Sequence, residues 1–368
     1  IIINLMLKKR RHDVDAIRAI ALFLLIAYHL GISFMSWAPF VFFIPNIKSI
    51  DSFWALLAMV NTWRIPILFL ISGIALRFSF EKRSPLELIK ERLKILGIPL
   101  LFGSFTSGAL VIYFGSLFWE KKGEGEAVYL PDSVHLWFLE NIIIYSLIFV
   151  FILNFITPLK RESKFLSKLL SKPGGIFLFS LPIVLEGHLV ETVGWWYGND
   201  YSLYLDTLHG FFLGAIWFLL GIILTSQGEA FWESNKVNWK IHAVIAFSLY
   251  IYRFLNEFEG IDNRIIAFES FNFIFLVLGL GATYLNKESS QLDYYKTAIF
   301  PVYIVHFPIQ YVLMFYFGGW NINPWLKYLI FLFLICFLSL TFYHAIKNVR
   351  ILRSLFGLRN KPKKEIDG

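Results

Sequence analysis

The chain is poor in charge, poor in cysteine and empty of the common cofactor signatures. Charged residues make up 16% of its 368 residues, against about a quarter in soluble domains, which excludes an ordinary water-exposed globular fold. The single cysteine, Cys336, rules out an intrachain disulfide and leaves the redox compartment unread. No histidine pair has HExxH spacing and no cysteine cluster exists, so no metal site is expected. A P-loop, a dinucleotide fingerprint and the G-x-S-x-G elbow are missing too, which removes nucleotide-hydrolysing, nicotinamide-dependent and serine-hydrolase readings. Internal repeats are also lacking, and with them the inverted-repeat signature of secondary transporters.

What the sequence has instead is apolar mass: 57% hydrophobic residues and 19% aromatics. Long apolar runs recur from near the start to about residue 346, leaving no segment polar enough for a separate soluble domain. A membrane-crossing helix needs about 20 mostly apolar residues, because hydrocarbon is about 30 Å thick and satisfies no backbone polar group. About ten segments meet this length: 16–36, 53–79, 95–118, 134–157, 175–193, 204–225, 239–256, 264–286, 297–317 and 325–346. The expected fold is all-α, a polytopic transmembrane helical bundle of about ten helices spanning 16–346. A basic N-terminus, 1–15, precedes it and a basic tail, 347–368, follows.

The net charge of +8 does not argue for nucleic acid. Lys and Arg sit in short loops and at the two ends, where they orient a membrane protein rather than track phosphates. In alternate loops they collect on one side: Lys8 to Arg11, Arg77 to Lys94, Lys160 to Lys172 and Lys347 to Lys364. The positive-inside rule makes that side cytoplasmic, so both termini are expected inside, consistent with an even number of spans. The opposite loops hold Lys48, Lys121, Lys122 and Arg264, but also Glu120, Glu124, Glu126, Asp132, Glu191, Asp200, Glu257 and Asp262. Met6, ahead of the first basic cluster, is a candidate start. No small-residue cleavage site follows that cluster, so the first span is expected to stay uncleaved. Trp37, Trp54, Trp63, Trp119, Trp195, Trp196, Trp320 and Trp325 mark span ends as an interfacial belt does. Trp195, Trp196, Tyr197 and Tyr201 form a denser outer group suited to stacking on a sugar.

Ionisable groups inside hydrocarbon are costly and usually functional. The first span, DVDAIRAIALFLLIAYHLGI, carries Asp15, Arg18 and His29. Eleven residues separate Arg18 from His29, about three helical turns and about 16 Å, so both project from one face. Asp15, one turn before Arg18, joins that face and is placed to form an ion pair with it. Arg18 reads either as a basic anchor at the cytoplasmic edge or as a phosphate contact. His29, past the midpoint of the span, reads either as a satisfied packing histidine or as an imidazole suited to accept a proton or to attack as a nucleophile.

These residues resemble the acyltransferase family 3 membrane proteins, whose first helix carries an Arg, ten intervening residues and a His after a Leu-Asp-x-x-Arg-like start. Here that stretch is Asp15-Ala-Ile-Arg18, then His29. WRIPILFLISGIALRFS resembles the family's Phe-x-x-Ser-Gly stretch through Phe69, Ser72 and Gly73, followed by Arg77. SPLELIKERLKILGIPLLFG resembles the basic helix leading into the family's third span, most closely in its glucan-modifying branch. HLWFLENIIIYS, from His135 through Trp137 to Ser146, and FPVYIVHFPIQYVL, with Tyr303, His306 and Pro308, match further stretches of that branch. Two departures stand out. The paired-Arg motif before the third span is reduced to Arg92 with Lys90 and Lys94 nearby, and Glu140 does not align with an acidic residue some relatives carry.

The resemblance implies an O-acyltransferase of the cytoplasmic (inner) membrane, with acyl-CoA as donor and a hydroxyl of an extracytoplasmic carbohydrate or lipid-linked glycan as acceptor. The transferred group would be acetyl or succinyl-like. Arg18, Arg77, Arg83, Arg92 and Lys94, with Ser72, are expected on the donor side, where cationic groups would meet CoA phosphates. His29 is expected to act, supported by Arg18 and Asp15, either as general base on the acceptor hydroxyl or as a nucleophile forming an acyl-imidazole. His306, Tyr303 and Trp137 are expected on the acceptor side. His209 joins them from an outward polar group with Glu186, His188, Glu191 and Asp206, which reads otherwise as a wetted loop edge. His306, just before Pro308, also reads as an imidazole bonding a carbonyl that the proline frees. The competing reading is a transporter or exporter of a polar, carbohydrate-like solute. A sensor or scaffold would leave Arg18 and His29 without a task.

Overall fold

The computed structural model describes residues 10–155, 161–194, 196–198 and 200–358. Met6, Lys8, Lys9, Lys160, Trp195 and the tail from Arg359 onward, named above, lie outside the described residues. Among the described residues the fold is helical, with no strand. Its long segments are α1 (His12–Ile32), α2 (Asp51–Phe80), α3 (Pro85–Glu120), α4 (Val134–Phe155), α5 (Gly175–Thr192), α6 (Leu208–Thr225), α7 (Glu229–Leu255), α8 (Asn263–Leu285), α9 (Ser290–Phe317) and α10 (Pro324–Ile346). Short helices at Lys164–Leu170 and Arg350–Leu355 complete it.

Nine of these segments are long and apolar enough to cross a bilayer, and each coincides with an expected span. The expected span 239–256 is the second half of α7, which runs 27 residues, about 40 Å at 1.5 Å per residue. It has the length to cross, but Glu229, Glu233, Lys236, Lys240 and Arg253 make it the most polar of the set.

Local chemistry explains where the helices begin. Asp13 and Asp15 occupy the first turn of α1, where acidic side chains complement the positive end of the helix dipole. The helix therefore starts at His12 rather than at residue 16, and it ends at Ile32. α3 opens on a capping box: the Ser84 amide donates to Glu87 Oε2 at 2.9 Å and the Glu87 amide to Ser84 Oγ at 3.4 Å, with Pro85 pre-set for the first helical position. The basic stretch and the third span are thus one continuous helix, relaxed by π turns at Leu93–Gly97 and Ser104–Gly108. Thr207, Asp262 and Asn323 cap α6, α8 and α10 through side-chain oxygens.

The chain forms two compact units. The first comprises the chain up to Tyr28, Trp54–Ile89 and Ile144–Asp293. In it α2 runs against α6, and α8 against α5 and α7. The α2–α6 contact depends on small residues: a Cβ on Gly73 would lie 2.0 Å from the Phe218 carbonyl oxygen, and one on Gly221 2.2 Å from that of Leu70. Close backbone approach is what such residues contribute in a membrane, where no hydrophobic effect drives helices together. The Phe-x-x-Ser-Gly stretch is therefore a packing device here, with Ser72 Oγ donating to the Leu68 carbonyl of its own helix at 2.7 Å.

The second unit comprises His29–Phe53, Lys90–Ile143 and the chain from Tyr294. It holds the last turn of α1, most of α3, the first turns of α4, nearly all of α9, and α10. Exposed Phe105, Ile330, Phe333 and Phe337 on α3 and α10 are suited to hydrocarbon and not to water.

Candidate active site

A proline sets up the site. Pro308 lies inside α9 and has no amide hydrogen for the carbonyl four residues back, that of Ile304. His135, in the turn that opens α4, fills the gap: its Nε2 lies 2.9 Å from the Ile304 oxygen. The Tyr303 hydroxyl in turn donates to the His135 carbonyl. α9 and the start of α4 are thereby tied at consecutive residues of α9. The sequence predicted an imidazole at the freed carbonyl and suggested His306; the structure places His135 there.

His306 has other partners. Its Nδ1 lies 2.7 Å from the Tyr303 carbonyl oxygen and its Nε2 3.2 Å from His29 Nδ1. The two imidazole planes are within 11° of parallel, with centroids 5.5 Å apart. His306 is fully buried, His135 is 5% exposed, and His29 is half-buried. Gln310, one helical turn beyond His306, donates from Nε2 to the His29 carbonyl at 2.9 Å and lies 3.2 Å from Ser33 Oγ. Phe307 separates the rings of His29 and His135, with centroids 4.7 and 5.1 Å away, and Phe43 and Tyr311 continue the aromatic wall. Three imidazoles from α1, α4 and α9 thus converge in one apolar setting. Among the described residues no group of three His, Cys, Asp or Glu side chains is placed to hold a metal.

Of the residues expected to act, His29, His306 and Tyr303 come together in the second unit. Trp137 lies in that unit, half-buried, two residues from His135. Arg92, half-buried, and Lys94, exposed, are also in it, at the first π turn of α3. Asp15, Arg18, Ser72, Arg77 and His209 belong to the first unit. There the expected ion pair is present, with Arg18 Nη1 3.6 Å from Asp15 Oδ1, and Arg10 Nη2 lies 2.8 Å from Oδ2 of the same carboxylate. Arg77 is buried and engaged: its Nε donates to Ser226 Oγ at 2.7 Å and its Nη1 to Glu81 Oε1 at 2.7 Å.

His209 is fully buried, with Nδ1 on Glu186 and Nε2 2.9 Å from the Tyr201 carbonyl oxygen. The Tyr197 hydroxyl donates to the same Glu186 oxygen at 3.0 Å. Burial, with the Glu186 carboxylate beside it, pushes that hydroxyl up from its ordinary range, so it stays a donor. This network ties Tyr197 and Tyr201 to Glu186 of α5 and His209 of α6.

Several buried polar residues go unmarked in the sequence. His135 stands there only within a matching stretch, although a carbonyl orphaned by Pro308 is a signal that a donor must arrive from elsewhere. Arg253 and Glu269, on α7 and α8, form a buried ion pair with Nε 2.8 Å from Oε2 and exposures of 6% and 0%. Arg64 lies 3.4 Å over the ring of Tyr28, and His242 Nδ1 2.9 Å from Asn272 Oδ1. Each pairs residues far apart in sequence, and no local pattern announces them.

The class follows from comparison with known families. The family model described as "Acyltransferase domain" matches residues 11–344, so the chain belongs to that family and is a multi-pass membrane O-acyltransferase. Among named proteins it is similar to glucans biosynthesis protein C of Escherichia coli strain SMS-3-5, 23% identical over 98% of this chain and 97% of that one. The same protein from Escherichia coli O157:H7 is likewise 23% identical over the same shares. No solved structure matches.

Proposed function

We propose that this enzyme transfers an acyl group, acetyl or succinyl-like, from cytoplasmic acyl-CoA to a hydroxyl of an extracytoplasmic carbohydrate, with His29 as the acting residue. The observation that carries the reading is the half-buried His29 imidazole, held by His306 in a wall of aromatic rings within a domain of this family. The similar proteins are named for glucan synthesis, which favours a glucan as acceptor. The positive loops favour both termini on the cytoplasmic side, in keeping with an inner-membrane enzyme. In the same unit as His29, Arg92 and Lys94 supply cationic groups for CoA phosphates. CoA itself is too charged to cross the bilayer, so the acyl group alone passes to the acceptor.

In the base route the hydroxyl oxygen attacks the thioester carbonyl. A C–O bond forms, the C–S bond breaks, and the hydroxyl proton passes through His29 to the CoA sulfur. In the acyl-histidine route His29 displaces the thiolate first, and the hydroxyl then displaces imidazole while its proton goes to the thiolate. Both yield an ester and free CoA.

The test uses the full-length protein in proteoliposomes, with labelled acetyl-CoA or succinyl-CoA outside or inside and glucose oligosaccharides as acceptor. Free thiol and labelled ester are measured. His29→Ala is expected to lower turnover by about 10²-fold or more, the usual contribution of a positioned acid–base group. Unchanged turnover in that variant sinks the reading. Movement of intact oligosaccharide without ester formation would instead support the exporter.

A further inference from the structure

We infer that His306 is a positioning residue that holds His29 in the Nδ1–H tautomer, so that Nε2 of His29 is the nitrogen that acts. The inference rests on the reading of His29 above and adds which atom does the chemistry and what selects it.

A carbonyl oxygen can only accept a hydrogen bond. The Tyr303 oxygen lies 2.7 Å from His306 Nδ1, so that nitrogen carries the hydrogen. A neutral imidazole has one N–H, and His306 is fully buried among aromatic rings, where an unpaired charge is costly. Its Nε2 therefore presents a lone pair. His29 Nδ1 lies 3.2 Å from that lone pair, so the hydrogen between them belongs to His29. By the same rule, His29 has its lone pair on Nε2. One backbone carbonyl thus sets two tautomers in series, and a second nitrogen of a ring fixing the first is the usual way histidine chemistry is directed.

The geometry supports a clamp rather than a chance contact. The ring planes are within 11° of parallel with centroids 5.5 Å apart, and with Nδ1 and Nε2 3.2 Å apart between them the rings meet edge to edge rather than face to face, which puts the Nδ1–H close to the plane of the accepting ring. The Gln310 bond to the His29 carbonyl at 2.9 Å fixes the main chain independently of the ring. The Phe307 ring, 4.7 Å away, limits rotation of the imidazole. A carboxylate usually fills the orienting role in acyl transfer by a histidine base; here a neutral imidazole braced on a carbonyl does so. Both chemical routes draw on the same lone pair. In the base route Nε2 takes the hydroxyl proton and returns it to the thiolate. In the acyl-histidine route Nε2 forms the C–N bond as the C–S bond breaks. In each, positive charge on the His29 ring is shared with the His306 lone pair through the Nδ1–H.

Three variants of the full-length protein in lipid test this, with acetyl-CoA as donor and thiol release as readout. His306→Gln keeps an oxygen acceptor near the position of Nε2. His306→Asn keeps a donor near Nδ1 but does not reach His29. The expected result is kcat within about tenfold of wild type for His306→Gln and a fall of about 10²-fold for His306→Asn, with KM for acetyl-CoA unchanged in both; loss of the correct tautomer in a serine protease costs about 10⁴-fold. Equal loss in the two variants, or no loss in either, overturns the inference. His29→Ala run beside them separates the layers: if it stays active, the reading of His29 itself has failed. A measurement that needs no active variant is ¹⁵N spectroscopy of the histidine rings in the wild-type protein, with the His29 signal assigned by its loss in His29→Gln. A protonated Nδ1 and bare Nε2 on His29 are expected; the reverse overturns the proposal.

Discussion

The His135–Ile304 hydrogen bond can be weighed by a double-mutant cycle in which each variant has a defined job. His135→Phe removes the Nε2–H while keeping a ring against Phe307 and Tyr303, 5.1 and 5.9 Å away. The Ile304 carbonyl, in a fully buried residue, then has no donor, because Pro308 cannot supply one. A buried polar group left unpaired costs about 1–3 kcal/mol, and that is the expected loss in a Pro308 background. Pro308→Ala restores the amide hydrogen four residues on, so the carbonyl regains a helical partner. In that background His135→Phe is expected to cost less by about 0.5–1.5 kcal/mol, in keeping with cycles inside membranes, which average about 0.6 kcal/mol and reach about 1.7. Equilibrium unfolding in mixed micelles reads all four proteins. If His135→Phe costs the same in both backgrounds, within about 0.3 kcal/mol, the carbonyl freed by Pro308 is not what His135 serves.

Two further outcomes follow from the first unit. Arg253→Met or Glu269→Gln, each leaving one charge of a buried pair with Nε–Oε2 of 2.8 Å, is expected to cost about 3–5 kcal/mol. The double variant Arg253→Met/Glu269→Met recovers most of that on the same unfolding assay. Gly73→Leu drives a Cβ to within 2.0 Å of the Phe218 carbonyl oxygen and is expected to cost about 3 kcal/mol or more by overpacking, seen as loss of folded protein after detergent extraction.

The expected spans and the observed helices agree closely because hydrocarbon imposes a length and a polarity that each segment must meet alone. The differences of consequence have local causes. α1 starts early because Asp13 and Asp15 stabilise its first turn, α3 starts at Pro85 rather than residue 95 because Ser84 and Glu87 cap it there, and α7 is long but polar because residues 229–240 carry four charged side chains. Capping boxes and N-caps are equally local, and Ser84-Pro85-Leu86-Glu87 could be read directly. Among the site residues, the Asp15–Arg18 pair was legible because i,i+3 spacing on one helix fixes distance.

Alone, then, the sequence determined that this is a membrane bundle, where its helices lie, and that His29 is the histidine of the first span. Helical periodicity and hydrocarbon thickness act within one segment, so one segment suffices to read them. What only the tertiary structure decided is which residues meet across helices. It paired His29 with His306, 277 positions apart, and sent His135 rather than His306 to the carbonyl orphaned by Pro308. It also enclosed His209 between Glu186 and the Tyr201 carbonyl. Those pairings follow from the packing of helices distant in the chain and from the demand that every buried donor and acceptor find a partner, and no spacing rule within a span reaches that far.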